Sequence, residues 1–333
     1  MHPDPLLDPL PDPLPFMPQV PPMCEMPQGS VHLPDWGVIR AAGDEAAAFL
    51  HGQLTQDVEH LAAGRAHLAG YCSAKGRLLA SFVVWRPAPA EVLLACSADL
   101  LPAVLKRLSM FVLRAKCKLS DASQDLPVWG LAGAAALQAA GAAELLVWGQ
   151  AVNQGGTLVR LPDALLGGVL QQRALFFGQP SPALQALPAL DASAWNWLEV
   201  HSGVARITAA TSEQFVPQRV NLELVGGVNF QKGCFPGQEV VARSQYRGTL
   251  KRRAQVLHAT TPLQAGMELF HSADPGQPAG MVVLAGSLAG DAHSALAEVK
   301  LAALKGGSLH AGSADGPLLQ PVPLPYAIPT EAA

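Results

Sequence analysis

The chain has 333 residues, of which half are hydrophobic and only 14% are charged, and its mean hydropathy is +0.22. That composition can bury a sizeable core, excludes wholesale disorder, and covers enough length for about two domains. A net charge of −4 and a pI near 6.2 exclude a surface that is basic throughout, as a general nucleic-acid binder would need.

Residues 1–28 open on a proline-dense tail, with nine prolines in Met1–Pro22, where fixed φ angles and missing donors predict extended chain rather than packed structure. No basic leader followed by an apolar core precedes the first arginine, Arg40, so neither a secretory nor a mitochondrial leader is expected and the chain reads as cytoplasmic. Residues 36–41 read as a strand, and Asp44 is placed to cap a helix running to Leu54. Residues 68–72 and 78–85 read as two strands about the turn Ala74-Lys75-Gly76, followed by a strand at 91–96, a helix at 100–111 and a strand at 115–119. Short strands are predicted at 126–132, 145–150 and 157–161 around an alanine-rich helix, with a tryptophan-rich helix at 192–202. The longest apolar stretch, 130–149, is mostly alanine and carries Gln138 and Glu144, so no membrane span is expected. Residues 29–250 are thus a mixed α+β region of two interleaved subdomains. Residues 251–316 read as short strands between Gly/Asp/Pro turns, a small β-barrel, and the prolines from Pro317 onward predict a second tail at 317–333.

Five cysteines, Cys24, Cys72, Cys96, Cys117 and Cys234, stand at least 21 residues apart, which excludes short-spaced zinc or redox pairs and argues for free thiols. The ten histidines show no metal-ligand spacing, and no metal site is expected. Basic residues cluster instead: 106–118 holds five Lys/Arg and no acid, and 232–253 holds six with the single acid Glu239, which suggests a positive pocket for an anionic ligand. Within the second run, Gly226, Gly227, Gly233 and Gly237 surround Lys232, Cys234 and Pro236. Glycines at this density permit close backbone approach, and a cation two residues before a cysteine favours its thiolate. A helix starting at Gly237-Gln238-Glu239 would add its free N–H groups. The loop is no nucleotide-triphosphate site, because glycine rather than Ser/Thr follows the lysine. A second polar segment, Gln53-Leu54-Thr55-Gln56-Asp57, follows a helix end at Gly52 and offers amide and carboxylate groups able to read a heterocycle.

The run Lys232-Gly233-Cys234-Phe235-Pro236-Gly237-Gln238-Glu239 resembles the K-G-C-[FY]-x-G-Q-E signature of the YgfZ folate-binding family, relatives of the glycine-cleavage T-protein, an aminomethyltransferase. Residues 52–58, 74–77, Pro217-Gln218, Asn221-Leu222, Gly226-Gly227-Val228 and Ala242-Arg243 with Arg247-Gly248 support the likeness, which spans about 30 to 300. The resemblance implies a three-part clover-leaf around a central channel for tetrahydrofolate. It also implies a role in making or repairing iron–sulfur enzymes, including those that modify tRNA. Folate and iron–sulfur enzymes or cluster-assembly proteins are then the expected partners, and direct tRNA binding is not indicated. Cys234 and Lys232 become the reactive pair, and Gln53, Asp57, Gly233, Gln238, Glu239, Arg243 and Arg247 the candidate folate ligands. Two departures from the T-protein stand out. Residues 76–81 (Gly-Arg-Leu-Leu-Ala-Ser) lack the carboxylate that enzyme carries there, which argues against aminomethyl transfer, and His201 stands where its folate-reading glutamate would be. Two rivals remain: a folate-dependent one-carbon transferase, and a folate-sensing scaffold without chemistry at Cys234.

Overall fold

A computed structural model describes residues 26–153, 155–246, 250–288 and 292–329. The proline-dense segment Met1–Pro22, Cys24 and Arg247 lie outside these residues. The sequence patterning becomes two five-stranded antiparallel sheets. In spatial order, the first runs Ala66–Cys72, Leu78–Ala88, Glu91–Ser97, Trp36–Ala42 and Lys118–Asp121. The second runs Gly29–His32, Val128–Ala132, Arg173–Gly178, Gly156–Arg160 and Gln150–Asn153.

The first sheet is buried on both faces, which is why its strands read as unbroken apolar runs. Val38, Val83, Trp85, Leu93 and Ala95 face the second sheet and share a core with Val128, Val159, Leu175 and Phe177. Trp195, Trp197 and Leu198 of the helix Ala192–His201 complete that core. Their strand neighbours Ile39, Phe82, Val84, Leu94 and Cys96 point the other way, onto Leu101, Val104 and Leu108 of the helix Leu101–Phe111. Trp85 stacks on Phe177 with ring centroids 4.1 Å apart, so one aromatic pair joins the two sheets.

Local signals placed most elements within a few residues. The first helix is shorter than expected, Ala46–His51, and Asp44 does not cap it; the Glu45 carboxylate instead accepts from the Lys116 backbone N–H. The strand expected at 115–119 forms at Lys118–Asp121, where it can pair with Trp36–Ala42. The hairpin of Ala164–Leu166 with Val169–Gln171, and the buried strand Arg173–Gly178, had no clear alternation to announce them.

The C-terminal barrel is present and closed, in the order Arg252–Ala259, Ala292–Lys300, Gly280–Leu288, Glu268–His271, Leu309–Ala311, Leu318–Val322. Leu257, Leu269, Val282, Ala297, Val299 and Leu319 fill it. The expected boundary at 316 is therefore corrected. Leu318–Val322 pairs with strands on both sides and closes the barrel, so it leaves no open edges there. Beyond it, the Tyr326 hydroxyl donates to the Gly203 carbonyl at 2.7 Å and accepts from Asn221 Nδ2 at 3.2 Å, which ties the chain end to the α+β region. Proline density did not mark a tail here because these prolines sit beside residues that bury.

His201 lies between helix and barrel. Its Nδ1–H donates to the Leu165 carbonyl, its Nε2 accepts from the Ser294 hydroxyl, and its ring stacks on Trp197. Burial pushes this imidazole down to about 4. In the unfolded chain it titrates near about 6.5, so the unfolded chain binds more protons between those values. Stability present above about pH 6.5 should fall by about 3 kcal/mol as pH drops to 4. Urea midpoints across that range should show the slope, and His201→Gln should flatten it. Truncation after residue 316 should remove the single cooperative melt followed by circular dichroism.

Candidate functional site

The first helix ends at His51, leaving carbonyl oxygens without intrahelical partners. Lys232 fills that need from the far side of the sequence. Its ammonium donates to the His51 carbonyl and, at 2.8 Å, to the Leu54 carbonyl, and it lies 5.1 Å from the centre of the Phe235 ring. The turn that follows is stitched to the glycine-rich loop. Thr55 Oγ1 donates to the Gly227 carbonyl at 2.6 Å, Gln56 Nε2 to the Gly226 carbonyl at 2.6 Å, and Asn229 N–H donates to the Thr55 carbonyl at 2.9 Å. Thr55 is itself paired with Gly70, so the loop is referenced to the first sheet.

On its other flank the loop meets the hairpin turn at 73–76. Gly237 has φ +78°, and a Cβ there would lie 2.4 Å from the Ser73 carbonyl oxygen and 2.6 Å from Gly76 Cα. The two glycine-bearing motifs, 74–77 and 232–239, are thus two halves of one backbone contact. The helix Gln238–Tyr246 begins immediately after it, as the sequence suggested. Its Val241 is buried, and the Val241 carbonyl accepts from Gln218 Nε2 at 2.8 Å, which gives Pro217-Gln218 a structural role.

Cys234 is exposed on this braced loop. Cys72 and Cys96 are buried in the first sheet, where burial pushes their thiols up to about 12, and burial also raises the Cys117 thiol. Lys232 is not the free neighbouring cation the sequence implied. It is buried, burial pushes it down to about 8, and its amine is committed to carbonyl oxygens, although it still feels charge at Cys234. Asp57 is half-buried. Burial acts to raise its carboxyl, but hydrogen bonds from His60 and His51 hold it below the usual carboxylate range. The structure therefore gathers His51, Asp57 and His60, which their sequence spacing did not suggest.

The other expected ligands scatter. Gln53 Oε1 is buried without a hydrogen-bond partner among the described residues. Gly233 is exposed and Gln238 half-buried, while Glu239 and Arg243 pair with each other at 3.1 Å on the exposed face of their helix. None of these lines the small recess of about 30 Å³ between the sheets. Its walls include Trp36, Phe82, Trp148, Arg173, Glu199 and Arg206. Arg206 donates to Glu199 and to Asp35, both at 2.8 Å, and lies over the Trp36 ring. Arg173 is buried deeply enough to be pushed down to about 10. These charged residues were missed in the sequence; the available signal was an Arg or Glu inside an otherwise apolar run, as in Arg173-Ala174-Leu175-Phe176-Phe177. Glu199 lines this recess and His201 does not.

No protein-family model matches the chain. It is 34% identical over 264 residues to the tRNA-modifying protein YgfZ of Edwardsiella ictaluri, covering 72% of this chain and 73% of that one. The chain belongs to the YgfZ family. The YgfZ protein of Sodalis glossinidius is 29% identical over 339 residues, 94% of this chain and 98% of that protein. Among solved structures, the glycine cleavage aminomethyltransferase T of Bartonella henselae superposes with a TM-score of 0.70 at 18% identity, over 89% of this chain and 85% of that one, so the fold is shared. The α+β clover-leaf expected from the YgfZ resemblance is thereby established.

Gly237→Ala should cost at least about 2 kcal/mol, because it adds a backbone clash to an unfavourable φ. Gly226→Ala, at φ +79° with nothing within 4 Å, should cost about 1 kcal/mol. Chemical denaturation of the two variants reads the difference.

Proposed function

We propose that this YgfZ-family protein binds tetrahydrofolate between its sheets and supports iron–sulfur enzymes, including those that modify tRNA, through the exposed thiol of Cys234. The carrying observation is one accessible thiol on a loop anchored by buried hydrogen bonds, in a chain of the YgfZ family with the aminomethyltransferase fold. The recess must widen to seat tetrahydrofolate, and its lining then supplies groups of matching chemistry. Trp36 and Trp148 offer aromatic walls for a pterin, and Arg173 and Arg206 offer positive charge to folate's anionic tail. Among the described residues, Trp36 Nε1–H and Arg206 Nε–H are buried without acceptors, as donors awaiting a polar ligand would be. When bound, tetrahydrofolate carries one-carbon units.

A transferase role has less support from the residues present. Ser81, Phe82 and Val83 present no carboxylate from their strand, and the Ser81 hydroxyl accepts from the Ile207 N–H. Glu199 is held by Arg206. Absence of membrane partners remains an expectation; among the described residues no helix is long and apolar enough to cross a bilayer.

Calorimetry should show tetrahydrofolate binding that weakens as salt rises, since screening cuts attraction between the tail and the arginines. Arg173→Ala should weaken it roughly tenfold or more, in line with loss of one charge-assisted contact. No binding at millimolar folate overturns the folate reading. Cys234→Ser should keep folate binding yet fail to restore iron–sulfur-dependent tRNA modification in a strain lacking the protein; full restoration overturns the role of the thiol.

A further inference from the structure

We propose that His51, Asp57 and His60 form a binding site for a divalent first-row transition ion beside the Cys234 loop. One donor atom from each lies within 4.8 Å of the others. His51 Nδ1 stands 2.9 Å from Asp57 Oδ1, and His60 Nδ1 stands 3.0 Å from Asp57 Oδ2. Ligands at about 2.0–2.1 Å from a common ion and about 90° apart are themselves about 2.9 Å apart. The side chains already hold the spacing of adjacent ligands. Each imidazole offers its Nδ1 lone pair when its proton sits on Nε2.

The frame around the three is rigid where a site needs rigidity. The Asp57 N–H donates to Gln56 Oε1, the His60 N–H donates to Asp57 Oδ1, and the His51 carbonyl is held by Lys232. Two imidazoles and one carboxylate suit iron(II), cobalt(II) or zinc(II) over calcium or magnesium. His60 is 76% exposed at its side chain, which leaves coordination positions open to water or a substrate. Lys232 is the opposing charge nearby, but its amine points to carbonyl oxygens of His51 and Leu54. His67 also senses Asp57, and burial holds that imidazole below its ordinary range, hence neutral at pH 7. The position matters for the thiol loop. A Cβ on Gly233 would lie 3.5 Å from His51 Nε2, so the cluster abuts the residue next to Cys234.

The site goes beyond the folate reading and is tested without folate, so either can fail alone. Full-length protein without a histidine tag, carrying Cys234→Ser to remove the exposed thiol, is titrated with cobalt(II) and read by visible absorption. Zinc(II) competition then reports affinity. One equivalent should bind with nitrogen and oxygen ligand-field bands. His60→Ala in the same background should weaken binding at least tenfold while leaving the melting curve of the metal-free protein unchanged, because His60 is exposed. Asp57→Asn should do likewise for binding. Absence of binding at stoichiometric cobalt overturns the site. So does binding that His60→Ala leaves intact, or binding seen only when Cys234 is present.

Discussion

One buried ammonium organises the functional half of this molecule. The first helix ends at a half-buried turn, where its last carbonyls lack intrahelical donors. Lys232, some 180 residues later in sequence, is drawn in to satisfy two of the turn's carbonyls, His51 and Leu54, and burial depresses its basicity in consequence. The loop that carries Cys234 has no sheet partner of its own. It is positioned by that lysine, by the Thr55 and Gln56 hydrogen bonds, and by the glycine-to-glycine contact of 237 with 76. Phe235 and Val241 bury on either side, so the cysteine between Gly233 and Phe235 is left outward. Exposure of the thiol follows from the burial of its neighbours.

A different constraint shapes the cavity. Two sheets packed face to face through Trp85 and Phe177 would exclude everything if the packing continued. Toward one end the apolar layer gives way to Arg206 with Glu199 and Asp35, and to Arg173 over Trp195. Charges removed from water need partners, and the fold supplies them from four separate stretches of chain. The result is a polar recess with aromatic walls inside an otherwise apolar interface.

The cysteine loop and the cavity are separate places on one scaffold. The residues read from sequence as a single folate pocket divide in the structure. Gln53, Asp57 and Gly233 belong to the lysine-braced turn, Glu239 and Arg243 pair with each other on a helix surface, and the cavity draws on Arg173, Glu199 and Arg206. Basic residues adjacent in sequence take separate carboxylate partners, Arg243 with Glu239, Arg252 with Glu298 and Arg253 with Glu223.

Much was legible in the sequence because it depends on local chemistry. Alternating or continuous apolar runs marked the strands of the first sheet, glycines marked the loop at 226–237, and the eight-residue run 232–239 carried the family. The helix after Gly237 was readable for the same reason. What only the tertiary structure decided depends on pairs distant in sequence: that Lys232 braces a turn instead of serving as a free cation for the thiol, that His51, Asp57 and His60 converge, that Glu199 and not His201 faces the cavity, and that Leu318–Val322 closes the barrel instead of trailing from it. Sequence fixes which groups are available and which backbone shapes they allow. Burial decides which of them must find partners, and that is set by segments the local sequence cannot see.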